Sequence, residues 1–403
     1  MQTYSYKARD DAGRLVKGVL EAEDEQDLSA RIGKLGYYLT FAKPTLSQAK
    51  APDKRKSGHF GSLELLNFTT QLAISLDSGI PLLSALKDLA ENAPTAKVKT
   101  IVDNIARNVE AGRSLKDALA EYPKSFSKLY TSIIGAGEST GKLPLVLNDL
   151  AKLLDWQMEL GSKIKEASIY PIILFATMIG VVLVLIVAVI PKFEPIFEDL
   201  KVDLPLPTQI ILTVSRVCRT YWWMAIVAAV LLVIVFKFIN KTEEGQRQVD
   251  KWKTRLPIAG PLLEKIALSR FCHTFSLSLR SGVNVFAALG IASEVTGNKY
   301  FEGLVVKARD YVNVGEKIST SLEMSGKFPH LVVRMISVGE QTGTLSEALD
   351  KVNQYYDKEV PAAIKKMFAM FEPLMIVCMG LVVGGIALSV FLPLMKLITA
   401  IGG

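Results

Sequence analysis

Three uninterrupted apolar runs stand out along the chain, at residues 172–190, 220–236 and 374–392. The first contains no charged residue, and because an α-helix rises about 1.5 Å per residue it covers roughly the 30 Å hydrocarbon core of a bilayer. The second opens with aromatic residues, Tyr221, Trp222 and Trp223, which suit a membrane interface. The alternative, buried helices of a soluble protein, is disfavoured because such helices rarely lack charge for so long. The pattern predicts transmembrane helices at 171–191, 220–239 and 373–393.

Basic residues near these runs are unequally distributed between the two sides of the membrane. Ten lie on the side that contains residues 163–165, 241–255 and 358–366, and five lie on the side that contains 192–219 and 396. Because an excess of Lys and Arg marks cytoplasmic segments, we expect a cytoplasmic N-terminus, with the loop at 192–219 and the C-terminus on the outer side of the membrane. The first residues contain no apolar stretch typical of a cleaved signal.

The chain repeats itself at an offset of 203 residues, which becomes 202 after a one-residue deletion. The segment GESTGKL at 137–143 then corresponds to GEQTGTL at 339–345. Further equivalent pairs, expected to have structural roles, are Gly79 with Gly282 and Pro171 with Pro373. The first and third apolar runs are therefore one element used twice. For both repeats to have the same orientation, an odd number of further membrane crossings must lie between the first and the third apolar run, and the second run supplies one.

Within each copy the apolar residues recur at helical spacing. They mark one helix face at Leu147, Leu150, Ala151, Leu154 and Met158 in the first copy, and at Leu345, Ala348, Leu349, Val352 and Tyr356 in the second. No convincing strand pattern occurs between 63 and 165. We expect two cytoplasmic bundles of about six helices each, at 63–168 and 266–370, with a connector at 240–265.

Residues 1–45 have a different pattern. Segments 3–8 and 15–20 flank the turn-forming residues 10–13 and predict a β-hairpin, residues 25–35 predict a helix that ends at Gly36, and 37–42 predict a third strand. The stretch 43–62 contains prolines, glycines and a basic run at 53–56, and residues 46–62 are predicted to form a linker. The basic run is interpreted as solvated, with headgroup binding as the alternative. The fold class is thus a mostly α integral membrane protein with a small N-terminal α/β module.

The composition supplies little material for catalysis. Forty-seven basic and 40 acidic residues among 403 give a net charge of +7, too mild an excess to indicate nucleic acid. Three cysteines are expected to be free thiols, and three dispersed histidines do not make a zinc site. The apolar runs contain no ionisable residue of the kind that lines an ion pathway. We therefore expect no catalytic, cofactor or metal site.

The repeated GExTGxL motif differs from a phosphate-binding loop. A P-loop has four residues between its glycines and then Lys and Ser/Thr, whereas here three residues separate Gly137 and Gly141, and the second copy has Thr344 in place of Lys142. Gly137 is expected instead to end a helix in a left-handed conformation, with Gly141 and Pro144 at the start of the next helix.

Two interpretations of this motif remain open. The glutamates Glu138 and Glu340 either accept backbone N–H bonds within the turn, or belong to an exposed loop that contacts a partner protein. The candidate residues are Gly137, Glu138, Thr140, Gly141, Gly339, Glu340, Thr342 and Gly343. The nearby acidic pair Asp149 and Asp155 is interpreted as a solvated helix face, with a cation site as the alternative.

Several segments together resemble the inner-membrane platform family of type IV pilus assembly and type II secretion. They are LDSGIP at 76–81, LRSGVN at 279–284, the two GExTGxL motifs, Tyr170-Pro171, Glu372-Pro373 and LPLPT at 204–208. The departures are that the second copy has Asn284 where the first has Pro81, and Thr344 where it has Lys142. The match covers essentially the whole chain.

The resemblance implies a non-enzymatic scaffold in the bacterial inner membrane. The implied partners are a cytoplasmic hexameric ATPase, the transmembrane helices of pilins or pseudopilins, other inner-membrane assembly subunits, membrane lipid and a second copy in a homo-oligomer, expected to be a dimer. Pilus assembly and type II secretion are both open. A membrane enzyme or transporter is the alternative from another class, and neither a charged residue within a span nor an acid–base pair beside one supports it.

Overall fold

The computed structural model describes residues 2–9, 15–22, 24–34, 37–44, 59–199 and 205–401. The chain divides into two compact units, Met1–Gly58 and His59–Gly403. The first is an antiparallel sheet of order β2-β1-β3 with one helix; its elements are β1 Gln2–Arg9, β2 Leu15–Ala22, α1 Glu25–Lys34 and β3 Tyr38–Pro44. Its described core consists of Ala8, Ala22, Leu28 and Ile32. The predicted turn at 10–13, Gly36 and linker residues 46–58 lie outside the described residues.

The second unit begins with a helical bundle that corresponds to the first repeat copy. Its six helices are α2 Ser62–Asp77, α3 Leu82–Glu91, α4 Ala96–Glu110, α5 Leu115–Ala120, α6 Lys128–Thr140 and the first part of α7 Leu143–Val184. Phe60 is buried in the core of this bundle, and its N–H donates to Ser125 Oγ at 2.9 Å. The linker predicted to run to residue 62 therefore ends earlier, because an aromatic side chain anchors the chain here.

The second copy has the same order of elements. Its six helices are α11 Ala259–Arg280, α12 Val285–Val295, α13 Lys299–Asn313, α14 Ile318–Glu323, α15 His330–Thr342 and the first part of α16 Leu345–Ile401. Gly79 and Gly282 occupy the same position after the first helix of each copy, with φ of +83° and +86°. Pro81 and Asn284 are both N-cap residues of the helix that follows, so this sequence departure keeps the same local structure.

The helices of the two bundles continue into the apolar runs without a break. Pro171 lies inside α7, and Pro361, Pro373 and Pro393 lie inside α16. The predicted boundaries between bundle and span at 168–171 and 370–373 therefore fall inside continuous helices. A proline removes one N–H donor and strains one turn, but the hydrogen bonds on either side of it can persist when neighbouring groups satisfy the freed carbonyl.

Helices also occupy the segments predicted as connections. A π-helical turn at Leu185–Val189 joins α7 to α8 Ile190–Asp199, and α9 spans Leu206–Ile239, so most of the predicted loop at 192–219 is helical. The connector predicted at 240–265 contains α10 Glu243–Lys253 and the start of α11. The backbone of α9 kinks at Tyr221, one residue inside the predicted second span.

Within the described residues, two helical stretches are long and apolar enough to cross a membrane, Leu143–Phe193 and Leu345–Pro393, with mean hydropathies of 3.2 and 2.6 in their most apolar windows. A shorter apolar stretch, Val230–Ile239, lies in α9. Large apolar side chains on all three are exposed, Leu183, Leu232 and Leu381 among them. Such continuous exposed apolar surface is typical of contact with lipid.

Candidate functional site: the repeated turns and the interface between the bundles

In the first copy the GExTGxL motif forms the tight junction between α6 and α7. Gly141 ends α6 in the left-handed region, with φ of +70°, and Lys142 N–H donates to Gly137 O at 2.9 Å. The prediction that Gly137 takes the left-handed conformation is wrong. Gly137 is helical and buried, and a Cβ there would lie 2.9 Å from Val146 Cβ, so the missing side chain lets α6 and α7 approach closely.

The second copy reproduces this junction between α15 and α16. Gly343 is left-handed with φ of +73°, and Thr344 N–H donates to Gly339 O at 3.0 Å. A Cβ on Gly339 would lie 2.8 Å from the Cα of Leu345, so backbone packs directly against backbone. The same two glycine roles therefore occur in both copies.

The two motif glutamates hold the start of another helix. Glu138 accepts the N–H of Leu115 on Oε1 at 2.7 Å and that of Lys116 on Oε2 at 3.2 Å. These N–H groups are in the first turn of α5, where the helix itself provides no acceptor. The glutamate is half-buried and lies in the last turn of α6. The motif is thus a helix end that braces α5, rather than the exposed loop of the partner-contact interpretation.

Glu340 makes the equivalent contacts to α14. It accepts the N–H of Ile318 at 2.7 Å, the N–H of Ser319 at 3.3 Å and the hydroxyl of Ser319 at 2.8 Å. The glutamates therefore accept backbone N–H groups, but those of a separate helix rather than of their own turn. The exposed part of each motif is residues 139–142 in the first copy and residues 341–344 in the second. Partner contact by the eight motif residues stays a prediction.

Charged residues link the two bundles. Arg280 at the end of α11 reaches Asp149 of α7, with 3.5 Å between Nη1 and Oδ2, and also pairs with Asp350 of α16. Asp149 is buried, whereas Asp155 is exposed. The interpretation of Asp149 as a solvated residue is therefore wrong, since the second bundle covers it. Among the described residues no group of three or more His, Cys, Asp or Glu could hold a metal ion.

A second polar cluster lies further along α7. Trp156 Nε1 donates to Asp357 Oδ1 at 2.8 Å, and His273 Nε2 lies 2.9 Å from the same oxygen while its ring stacks on Trp156 at 4.1 Å. A cavity of about 380 Å³ between α7, α11 and α16 includes both clusters. Asn353 Oδ1 is buried beside it with no hydrogen-bond partner among the described residues. The interface between the copies is therefore polar and incompletely packed here.

Equivalent residues meet where α7 and α16 enter their apolar runs. Tyr170 OH donates to Glu372 Oε1 at 3.2 Å, and these two residues are 202 positions apart. Each precedes a proline, Pro171 or Pro373. A groove of about 530 Å³ at this level is lined by equivalent residues of both helices, including Lys163 and Lys365. The repeated Tyr-Pro and Glu-Pro pairs therefore mark the point at which the two copies come together.

Two buried hydroxyls of α9 satisfy carbonyls that prolines leave free. Pro393 has no N–H to donate to Ser389 O four residues earlier, and Thr208 Oγ1 donates to that oxygen at 2.7 Å. In the first copy Pro191 follows the π-helical turn, and Ser215 Oγ donates to Ile186 O at 2.6 Å. Neither role was predicted. The available signal was a pair of hydroxyl residues two helical turns apart, and it was weak because α9 also contains Thr213 and Thr220.

The three cysteines lie in different environments. Cys272 is fully buried in the second bundle, and its burial raises the pKa of the thiol. Cys218 is half-buried and Cys378 is exposed, and all three are free. A buried thiol with a raised pKa is a packing group rather than a nucleophile.

Comparison with known proteins gives family matches for both copies and for the N-terminal unit. The model of "Type II secretion system (T2SS), protein F" matches residues 68–191 and 271–393, and that of "Type II secretion system protein F, N-terminal domain" matches residues 1–43. The chain is 36% identical to the type IV pilus assembly protein PilC of Thermus thermophilus over 99% of this chain and 98% of that protein. It is 36% identical to PilC of Myxococcus xanthus, over 99% and 95%. It is 31% identical to the type II secretion system protein F of Pseudomonas aeruginosa, over the full length of both.

Proposed function

The chain belongs to the type II secretion system protein F family, and on that premise we propose that it is the inner-membrane platform protein of a type IV pilus assembly machine. The observation that carries the proposal is identity of 36% to two pilus assembly proteins over nearly the whole chain. Members of this family are structural membrane proteins and not enzymes. The two helical bundles, each continuous with an apolar helix, suit a scaffold.

The second candidate is the platform protein of a type II secretion system. The family model carries that name, and a secretion protein is 31% identical over its full length. Deleting the gene separates the two functions. We expect loss of surface pili with unchanged export of folded substrates, whereas lost export with normal pili would assign the chain to secretion.

The proposed arrangement has three membrane crossings, with α9 providing the middle one. The bundles would then be cytoplasmic and residues near 200 and the C-terminus periplasmic, as the ten-to-five distribution of basic residues indicates. In this arrangement the exposed apolar faces of α7, α9 and α16 meet lipid, pilin or pseudopilin helices and other inner-membrane assembly subunits. A hexameric ATPase, which needs cytoplasmic ATP, would contact the bundles.

Cysteine labelling in intact cells checks this orientation. With Cys218 and Cys378 replaced by serine, a cysteine introduced at Gly403 is expected to react with a membrane-impermeant maleimide, and one introduced at Ser57 is expected to react only after the inner membrane is opened. The physical reason is retention of basic segments on the cytoplasmic side. Labelling of the Ser57→Cys protein in cells with a sealed inner membrane would contradict the proposed orientation.

The absence of catalysis is checked with purified protein. The chain alone is expected not to hydrolyse ATP, because neither GExTGxL copy has the spacing that cradles phosphate. The ATPase is expected to co-purify with the full-length chain, and its hydrolysis rate should change on binding. Turnover that persists in a preparation free of the ATPase would overturn the scaffold proposal.

A further inference from the structure

The two bundles of one chain pack against each other through different faces. The second bundle contributes Leu277 of α11, which is 6% exposed and belongs to the core cluster of the first bundle. The residue at the equivalent position of the first copy is Ile74, 203 positions earlier, and it is 62% exposed. The surface that the second bundle buries is therefore uncovered on the first. We call the α2–α3 surface around Ile74 the donor face.

The surface of the first bundle that packs against Leu277 also differs in exposure from its equivalent on the second bundle. Leu153 of α7 is 6% exposed and lines the same cavity as Leu277, and its equivalent Tyr355 is 44% exposed. Leu129 of α6 is likewise buried, whereas its equivalent Leu331 is exposed. The surface that the first bundle uses to receive its neighbour is thus open on the second. We call this α15–α16 surface the receiving face.

Each repeat therefore has one donor surface and one receiving surface, and a single chain uses one of each. Because the internal interface joins two different faces, the donor face of the first bundle and the receiving face of the second remain uncovered in a single chain. Complementary uncovered faces of this kind drive association of further copies until a ring closes. We infer that a second copy of this chain covers the open pair, with the donor face of one copy packed on the receiving face of the other. The inference deepens the proposed function, on which it rests, by naming the surface of the platform's self-association.

The charges that accompany the internal interface support this pairing. Within one chain Arg280 pairs with Asp149 across the two bundles. The equivalent positions on the open faces hold Asp77 and Lys351, so the signs are exchanged and the pair remains opposite in charge. Both are exposed, and neither has an ion pair in the described part of the chain. An interface between two copies would bring these charges together.

Other equivalent contacts are compatible as well. Lys128 and Glu294 pair across the internal interface at 3.3 Å, and their equivalents on the open faces are His330 and Glu91. The side chain of Thr140 lies beside Gly282, where a Cβ would be 3.9 Å away. The equivalents of that pair are Thr342 and Gly79, which are the same residue types. The open faces thus keep residue pairs that are complementary to each other, as the internal interface does. Binding of a second copy requires such pairs, whereas binding of an unrelated partner does not.

Cross-linking between differently tagged chains tests the proposed contact. With Cys218 and Cys378 replaced by serine and buried Cys272 retained, Ile74→Cys in one chain and Tyr355→Cys in the other are co-expressed as full-length proteins in membranes. A short bis-maleimide is expected to join the two tags. Pairing Ile74→Cys with Val314→Cys, an exposed position outside both faces, is the matched control. Equal cross-linking in the control, or none in the test pair, would overturn the inference.

Charge exchange then tests the register. We expect Asp77→Lys or Lys351→Glu alone to weaken self-association of the purified chain roughly fivefold, and the two together in one chain to restore it. Glu316→Lys, on an exposed glutamate away from both faces, should have no effect. Equal losses in the single and double variants at unchanged melting temperature would reject the pairing. Since neither ATPase nor pilin is present, this outcome is independent of pilus assembly, which the gene deletion measures.

Discussion

Replacing Thr208 by valine is expected to lower the free energy of unfolding by about 1–2 kcal/mol, because it leaves the carbonyl of Ser389 without a donor in an apolar environment. Valine has nearly the same shape, so the loss isolates the hydroxyl. Replacing Pro393 by alanine in the same chain should restore most of the stability, since residue 393 then supplies its own N–H to Ser389 O. Thermal unfolding in detergent with a helix-specific signal measures both changes.

The control is Thr213→Val on the same helix, where the hydroxyl bonds only to Gln209 O within α9 and faces outward. That variant should change stability by less than about 0.5 kcal/mol. At the other apolar helix, Ser215→Ala corresponds to Thr208→Val and Pro191→Ala corresponds to Pro393→Ala, and we expect the same loss and recovery of stability. A Thr208→Val protein as stable as the parent, or one that Pro393→Ala destabilises further, would show that the hydroxyl does not compensate for the proline.

Replacing Glu340 by alanine is expected to cost about 2–3 kcal/mol of stability, and replacing Glu138 somewhat less. Each carboxylate accepts two backbone N–H groups at the start of a neighbouring short helix, and Glu340 also accepts the hydroxyl of Ser319. Removing a charged acceptor leaves those partly buried donors unpaired. Chemical unfolding of the full-length protein, with Glu316→Ala as an exposed control, measures the difference.

Binding of the proposed partner, a cytoplasmic ATPase, should be measured on the same variants. If the glutamates only brace α5 and α14, binding per folded molecule stays unchanged while the melting temperature falls. Weaker binding by Glu138→Ala at an unchanged melting temperature would instead support the partner-contact interpretation of the motif. Melting temperature and ATPase binding per folded molecule can change independently, so each result distinguishes the bracing role from the contact role.

The repeat offset and the helical period were sufficient to predict two bundles of six helices, because both signals are local and each copy supports the other. Helix capping follows the same local logic: Ser114, the N-cap of α5, accepts the N–H of Asp117 at 3.0 Å. The candidate motif was also found from the sequence, since it occurs twice at one offset.

What the sequence did not show depends on contacts between distant segments. Asp149 looks like any acidic residue on a helix, and its burial results from Arg280, 131 residues away. The need for glycine at position 137 comes from Val146, whose side chain leaves no room for a Cβ there. The hydroxyl of Thr208 acquires its role only because α9 lies beside Pro393. Each of these outcomes follows from packing that no local pattern contains.

The continuity of α7 and α16 has a mechanical consequence. The 42 residues of α7 form a rod of about 60 Å that continues from the bundle through Pro171 into the apolar run. A torque applied to the bundle is therefore carried into the bilayer as rotation of the same rod. Two points at which this rod departs from a regular α-helix are Pro171, which lacks an N–H donor, and the π-helical turn at Leu185–Val189 near the far end of the run. In the proposed platform function, a cytoplasmic ATPase that turned the bundle would twist the membrane-embedded part of the same helix, with no part of the ATPase entering the lipid.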